Sequence, residues 1–187
     1  WLDAVMHAFS TVALGGFSSH DASFAFFDSP ALEAVTIGFA LISGMSYATH
    51  FAALSGRSLR PYLRDGELPF YLGVLGASVL LIAVYVWQAG FYPEFATALR
   101  HAAFNTVSVA TTLGYASTDY SKWPFFAPLW MLFLCSFVTC AGSTGGGIKM
   151  MRAVILYKQV FREITHAMHP NATTFVKLGG TVVPNKI

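Results

Sequence analysis

Three stretches of the chain carry no charged side chain: 34–56, 68–93 and 123–148. Each exceeds the roughly 20 apolar residues that a membrane-crossing helix needs. The pattern predicts one helix over about 30–55, a second over about 69–89 and a third beginning near Pro124. Two shorter apolar segments, Leu2 to Val12 and Glu94 to Val109, consist of good helix formers but are too short to cross. Each is followed by a stretch rich in Gly, Thr or Ser, then by polar residues, then by a full span. A short helix that dips into the membrane and returns as extended chain fits both. Non-helical backbone at that depth requires cover from protein or water, so each dip implies a packed pore or a wet cavity.

Composition narrows the class. Charged residues are 11% of the 187, against about 25% in soluble proteins. Apolar residues are 55% and aromatics 16%. This excludes disorder, which needs low hydrophobicity and many charges. The basic residues are too few and too scattered for a nucleic-acid binder. The fold class expected is an all-α membrane protein with the lipid bilayer as its main partner. The chain opens at Trp1 without a Met or a basic leader and reads as the interior of a longer protein. Cys135 and Cys140 match neither CxxC nor a zinc spacing and read as buried apolar thiols.

The basic residues orient the spans. Arg57, Arg60, Arg64, Lys149, Arg152, Lys158 and Arg162 are seven of eleven and fall in two segments, 57–67 and 149–162. Positive residues favour the cytoplasm. Asp21, Asp28, Glu33, Glu94 and Asp119 then lie outside. There they either give the outer mouth a negative field, screened over about 8 Å, or simply solvate loops.

The two dips repeat one another. HAFSTV at 7–12 matches HAAFNTV at 101–107, pairing His7 with His101 and placing Thr11 and Thr106 95 apart. Gly16 and Gly114, and Asp21 and Asp119, are 98 apart. The spacing predicts a three-residue insertion between helix and turn in one copy. Repetition of this kind means two copies of one supersecondary unit, here span, dipping helix, loop, span. Paired roles for His7 and His101 follow, as buried packing residues or as pH sensors.

The loops that close the dips are Val12-Ala13-Leu14-Gly15-Gly16 and Thr111-Thr112-Leu113-Gly114. A cation crossing a membrane must exchange its water shell for other oxygens, and inward-turned carbonyls supply them. Gly permits the φ > 0 conformations that such a turn needs. The dipping helix aims the negative end of its dipole at the same space. The alternative is a pair of small-residue turns between packed helices.

TTLGY at 111–115 resembles the potassium-channel signature TVGYG without its last Gly. Three segments together resemble the Trk/Ktr/HKT superfamily of potassium transporters, and within it the bacterial Trk-type membrane subunits. They are HAFSTVALGGFSSHD at 7–21, HAAFNTVSVATTLGYASTDYSKWP at 101–124 and CAGSTGGGIKMMR at 140–152. In that family four span–pore helix–span repeats surround one pore. The resemblance implies that this chain holds the second repeat without its first span (1–56), a cytoplasmic linker (57–68), most of the third repeat (69–169) and a tail toward the fourth (170–187). It implies that Val12–Gly16 and Thr111–Gly114 are filter positions, with Leu14 and Leu113 where many relatives have Thr. It further implies potassium uptake, with sodium possible, across the bacterial inner membrane. A homodimer and a cytoplasmic nucleotide-binding regulatory subunit are the partners it implies. No other cofactor, enzymatic activity or transition-metal site is expected.

The third span carries Gly142-Ser143-Thr144-Gly145-Gly146-Gly147. Pro124 to Thr139 would make roughly 24 Å of helix, short of the ~30 Å core. Consecutive glycines, each costing about 1 kcal/mol relative to Ala, break it there. A second helical piece is expected from Ile148 to about His166. The resemblance implies that this loop is an intramembrane gate; a structural kink is the simpler alternative. A phosphate loop fits poorly, because Ile148 stands where GK[ST] needs Lys. A serine protease pairing Ser143 with His50 or His101 is the other competitor. Lys149 either snorkels to the interface or repels cations near the closed gate. A secondary transporter with broken helices at midplane is the alternative function. His166 and His169, at i, i+3, lack a carboxylate for a metal site, and the sequon Asn171-Ala172-Thr173 falls on the cytoplasmic side.

Overall fold

In the computed structural model the described residues are 1–169, with the backbone of 177–178 and 181–182. The chain forms α1 (Leu2–Ala13), α2 (Pro30–Ser43), α3 (Tyr47–Ser55), α4 (Arg60–Arg64), α5 (Leu68–Gln88), α6 (Phe95–Ala110), α7 (Phe126–Cys135) and α8 (Met150–Met168). Single 3₁₀ turns follow α1 (Ser23–Phe26) and α6 (Tyr120–Lys122). A two-stranded antiparallel ribbon pairs Lys177–Leu178 with Thr181–Val182. The remaining tail, including the Asn171 sequon, lies outside the described residues.

The two short helices end within a residue of their expected limits. So does α5, which is long and apolar enough to cross a membrane. Pro at its first turn and Gln88 at its end bound a segment with no charge. It packs along α6, burying Ile82, Ala83 and Val86 against Ala102 and, from the α7 side, Ala127 and Met131. Much of the apolar surface faces outward, including Leu80, Leu81, Leu132 and Phe133. In water that surface would be a defect; in lipid it is the expected exterior.

Two predicted spans differ from expectation. The helix over 30–55 is two helices, α2 and α3, bent by 90°. Gly44 stands at the break, where a Cβ would collide with the Tyr71 hydroxyl. That hydroxyl donates to Leu41 O at 3.1 Å. The backbone groups freed by the break are taken from outside: Cys140 N donates to Gly44 O at 2.9 Å, and Tyr47 N to Gly142 O at 3.2 Å. A helix break at this depth persists because another segment satisfies it.

The third span breaks earlier than expected, at Cys135 rather than Thr139. Returning chain takes the carbonyls that would have continued the helix. Ile148 N donates to Ser136 O at 2.7 Å and Met150 N to Thr139 O at 2.8 Å. A Cβ on Gly147 would approach Ser136 O to 2.6 Å, so glycine permits this closure. Residues 136–149 therefore form a loop with a pinned neck between α7 and α8.

Candidate functional site

The turns after α1 and α6 have the same construction. Leu14 and Thr112 both adopt the left-handed conformation, at φ 52° and 65°. Two residues on, Gly16 and Gly114 do so again, at 70° and 87°. The closing hydrogen bonds also correspond. Gly15 N donates to Ser10 O at 2.9 Å, and Leu113 N to Ser108 O at 2.8 Å. Every matched pair is 98 positions apart. No insertion separates helix from turn, so the register drawn from the two histidine motifs is corrected. The identity of HA-F misleads, because backbone hydrogen bonding rather than short identity sets the register.

In this register His7 corresponds to Asn105. Both reach forward to hold the loop: His7 Nε2 lies 3.0 Å from Ser18 Oγ, and Asn105 Nδ2 donates to Ser117 Oγ at 3.1 Å. His101 reaches the same Ser117 hydroxyl from one turn earlier, at 3.2 Å. The two histidines therefore do related work from different positions. The other shared residue is Ser10/Ser108. Ser10 Oγ accepts from Phe17 N at 2.8 Å, while Ser108 Oγ donates to Tyr115 O at 2.6 Å.

The turns lie against each other. A Cβ on Gly16 would collide with Leu113 O. Tyr115 Oη donates to Phe17 O at 3.1 Å, and Ala25 N to Ala116 O at 3.1 Å. Leu14 and Leu113 are buried, packed with Phe24, Phe104 and Tyr115. Their side chains thus belong to the core, and only their backbone is left for chemistry. Among the described residues, the carbonyls of Leu14, Gly15, Gly16, Thr112, Leu113 and Gly114 accept no hydrogen bond. Leu14 and Leu113 are buried, where over 90% of backbone groups are paired, while Gly15 and Gly114 are exposed.

The 136–149 loop sits against both turns. Thr144 Oγ1 donates to Val12 O at 3.1 Å, and Gly146 N to Thr112 Oγ1 at 2.9 Å. Thr139 Oγ1 donates to Gly146 O at 2.8 Å. A Cβ on Gly145 would meet the Thr139 side chain and stand 3.0 Å from Thr111 O. Gly142, Gly145 and Gly147 are thus each used at a turn or a close approach. Lys149 does not snorkel. Its φ is 75°, and its ammonium turns back to donate to Gly145 O and to Ser143 O and Oγ.

Ser143 Oγ donates to Cys140 O at 2.7 Å. His50 is held by Tyr62 Oη and Ile42 O, at 2.8 and 2.9 Å. With His101 on Ser117, neither histidine pairs with Ser143, which removes the protease reading. The glycine loop follows a helix rather than a strand, which removes the phosphate loop. Of the outer acids, Asp28 and Glu33 both engage Arg100, at 2.8 and 2.7 Å. Asp119 pairs with Lys122 at 3.1 Å and takes the Ser121 hydroxyl, and these contacts hold its carboxyl below the usual range. The field expected of five acids is therefore partly cancelled.

These features define a helical membrane protein with two like glycine turns, and the TrkH family, described as "Cation transport protein", matches over residues 1–187. The chain belongs to that family. It is 44% identical over 185 residues to the Trk system potassium uptake protein TrkH of Salmonella typhimurium, covering 99% of this chain and 38% of that protein. It is 35% identical to the Trk system potassium uptake protein TrkG of Escherichia coli, with the same coverage. The crystal structure of the potassium transporter TrkH from Vibrio parahaemolyticus matches at a TM-score of 0.93 and 38% identity, over 98% of this chain and 40% of that one. The chain thus spans about two fifths of the length of these relatives.

Proposed function

We propose that this chain supplies two of the filter-forming turns, and the gate, of a potassium uptake pore in a bacterial inner membrane. The observation that carries the reading is the set of unengaged carbonyls at Leu14–Gly16 and Thr112–Gly114, on two like turns that touch. A dehydrated cation is the partner that such oxygens suit. Val12–Gly16 corresponds to Ala110–Gly114 in the common register, so Ala110 joins Thr111–Gly114 as a filter position. Val12 O is the exception, because Tyr47 Oη and Thr144 Oγ1 donate to it. It marks the inner limit of the filter on that side.

The α1 and α6 helices are re-entrant pore helices of the second and third repeats, and 142–147 with Lys149 is the gate beneath them. Lys149 holds carbonyls that a passing cation could otherwise use, which favours closure. Potassium, driven by the membrane potential at about 2.3 kcal/mol per charge per 100 mV, is the ion; sodium is the competitor. Repeats outside this chain complete the pore. A homodimer and a cytoplasmic nucleotide-binding regulatory subunit, both implied by the resemblance, complete the system.

Two variants of the full-length protein test the reading. Gly114→Ser should lower potassium over sodium selectivity in flux assays, and unchanged selectivity removes the filter assignment. Deleting Gly145–Gly147 should raise basal flux; a folded protein with equal or lower flux removes the gate.

A further inference from the structure

Glu67 is the last acid before the uncharged run that becomes α5. A carboxylate at a helix N-terminus ordinarily accepts from the amides of its own first turn. Glu67 makes no such bond. Its own amide instead donates to Asp65 Oδ1 at 2.9 Å, and Asp65 Oδ2 accepts from Thr49 Oγ1 of α3 at 2.8 Å. The Glu67 side chain, only 4% exposed, turns the other way and accepts from Ala141 N at 2.9 Å. Burying a carboxylate is costly unless donors meet it. Here the donor comes from the gate loop, the Ala141 amide, with Cys140, Met151 and Lys149 of the loop and its exit nearby. Burial pushes its carboxyl above the ordinary range and the Ala141 amide opposes that. The group and the loop are therefore energetically linked.

The geometry matters because of where Ala141 sits. It precedes the glycines and lies between the neck at Thr139 and the contact of Thr144 with Val12. Thr49, Asp65, Glu67 and Ala141 thus form a continuous chain of hydrogen bonds from α3, through the basic cytoplasmic segment, to the loop. Glu67 is the only acid of that segment to reach the loop among the described residues. We propose that Glu67 is a positioning residue that holds the 139–147 loop against the two glycine turns, so that the 57–67 segment sets the closed state. The inference rests on the gate reading above.

The test uses the full-length protein in liposomes, reading basal potassium flux and potassium over sodium selectivity. Glu67→Ala should raise basal flux roughly tenfold, the scale of one charge-assisted hydrogen bond, with selectivity unchanged. Glu67→Gln keeps an acceptor and should give a smaller rise. Ala141→Pro removes the donor from the loop side and should match Glu67→Ala, and the two together should exceed neither alone. If the glycine deletion raises flux but neither Glu67→Ala nor Ala141→Pro does, the inference fails and the gate stands. If none of the three raises flux, the gate reading fails and takes the inference with it. A rise accompanied by lost selectivity overturns it, because Glu67 would then shape the filter. Should Glu67→Ala not reach the membrane, Glu67→Gln and Ala141→Pro decide by the same criteria.

Discussion

The two glycine turns share one backbone design yet differ in how tightly it is held. Gly16 is fixed twice, by a left-handed φ and by the Leu113 carbonyl against its Cα. Gly114 is fixed once, by φ alone, with open space where a Cβ would go. At their left-handed positions the roles reverse. Leu14 is buried in the core, whereas the Thr112 hydroxyl accepts from Gly146 N of the 136–149 loop. The first turn is the more tightly held, and the 136–149 loop touches both, at Val12 O on the first side and Thr112 Oγ1 on the second. A conserved backbone path does not imply that equivalent residues are equally replaceable.

The largest expected effect follows from that asymmetry. Gly16→Ala should abolish most potassium uptake in a full-length protein that still reaches the membrane, measured as growth on limiting potassium. Gly114→Ala should retain several-fold more uptake, because it meets only the φ penalty of about 1–2 kcal/mol. The reverse order would break the comparison. Gly114→Asn should be milder still, since Asn tolerates the left-handed region. Thr112→Val removes the acceptor for Gly146 and should raise basal flux about fivefold, at about 1 kcal/mol for the hydrogen bond. Flux equal to the parent would show that the loop does not lean on the second turn. The smallest effect belongs to Tyr115→Phe, which removes the bond to Phe17 O. It should lower thermal stability by about 1 kcal/mol and leave uptake nearly intact. A large loss of uptake would mean that this bond sets filter geometry rather than only joining the turns.

The sequence was most legible where one physical requirement dominated. Absence of charge located α5 because a span in lipid needs only apolarity. The short helices α1 and α6 ended where their glycines allowed the chain to reverse. Legibility failed where distant backbone satisfied local backbone. Nothing near Gly44 says that Cys140 and Gly142 will occupy the groups freed by a right-angle bend there. Nothing near Cys135 says that Ile148 and Met150 will return to claim the next carbonyls. The repeat was visible, but its register was not, because His7 has its counterpart in Asn105 and chemistry of the side chain outlived its identity. The direction of Lys149 was equally hidden. Its basic neighbours suggested an interface, while the carbonyls of Ser143 and Gly145 were closer. The filter proposal came from the motifs, and that the carbonyls of the two turns accept no hydrogen bond could be recognised only with the turns in place.

The pinned neck of the 136–149 loop separates two energies that a hinged helix would combine. Because Ile148 and Met150 close on Ser136 and Thr139, the tip can lift without disturbing α7 or α8. What then resists lifting is five hydrogen bonds to other elements, from Cys140, Ala141, Thr144 and Gly146 and to Gly142. At about 1 kcal/mol each they sum to about 5 kcal/mol, a bias of roughly several thousandfold toward the lowered loop. A regulator needs to favour the lifted state by no more than that to bring the two populations level. That is within reach of a single binding event, and under the gate proposed above it puts the threshold for opening in the loop's contacts rather than in the strength of the surrounding helices.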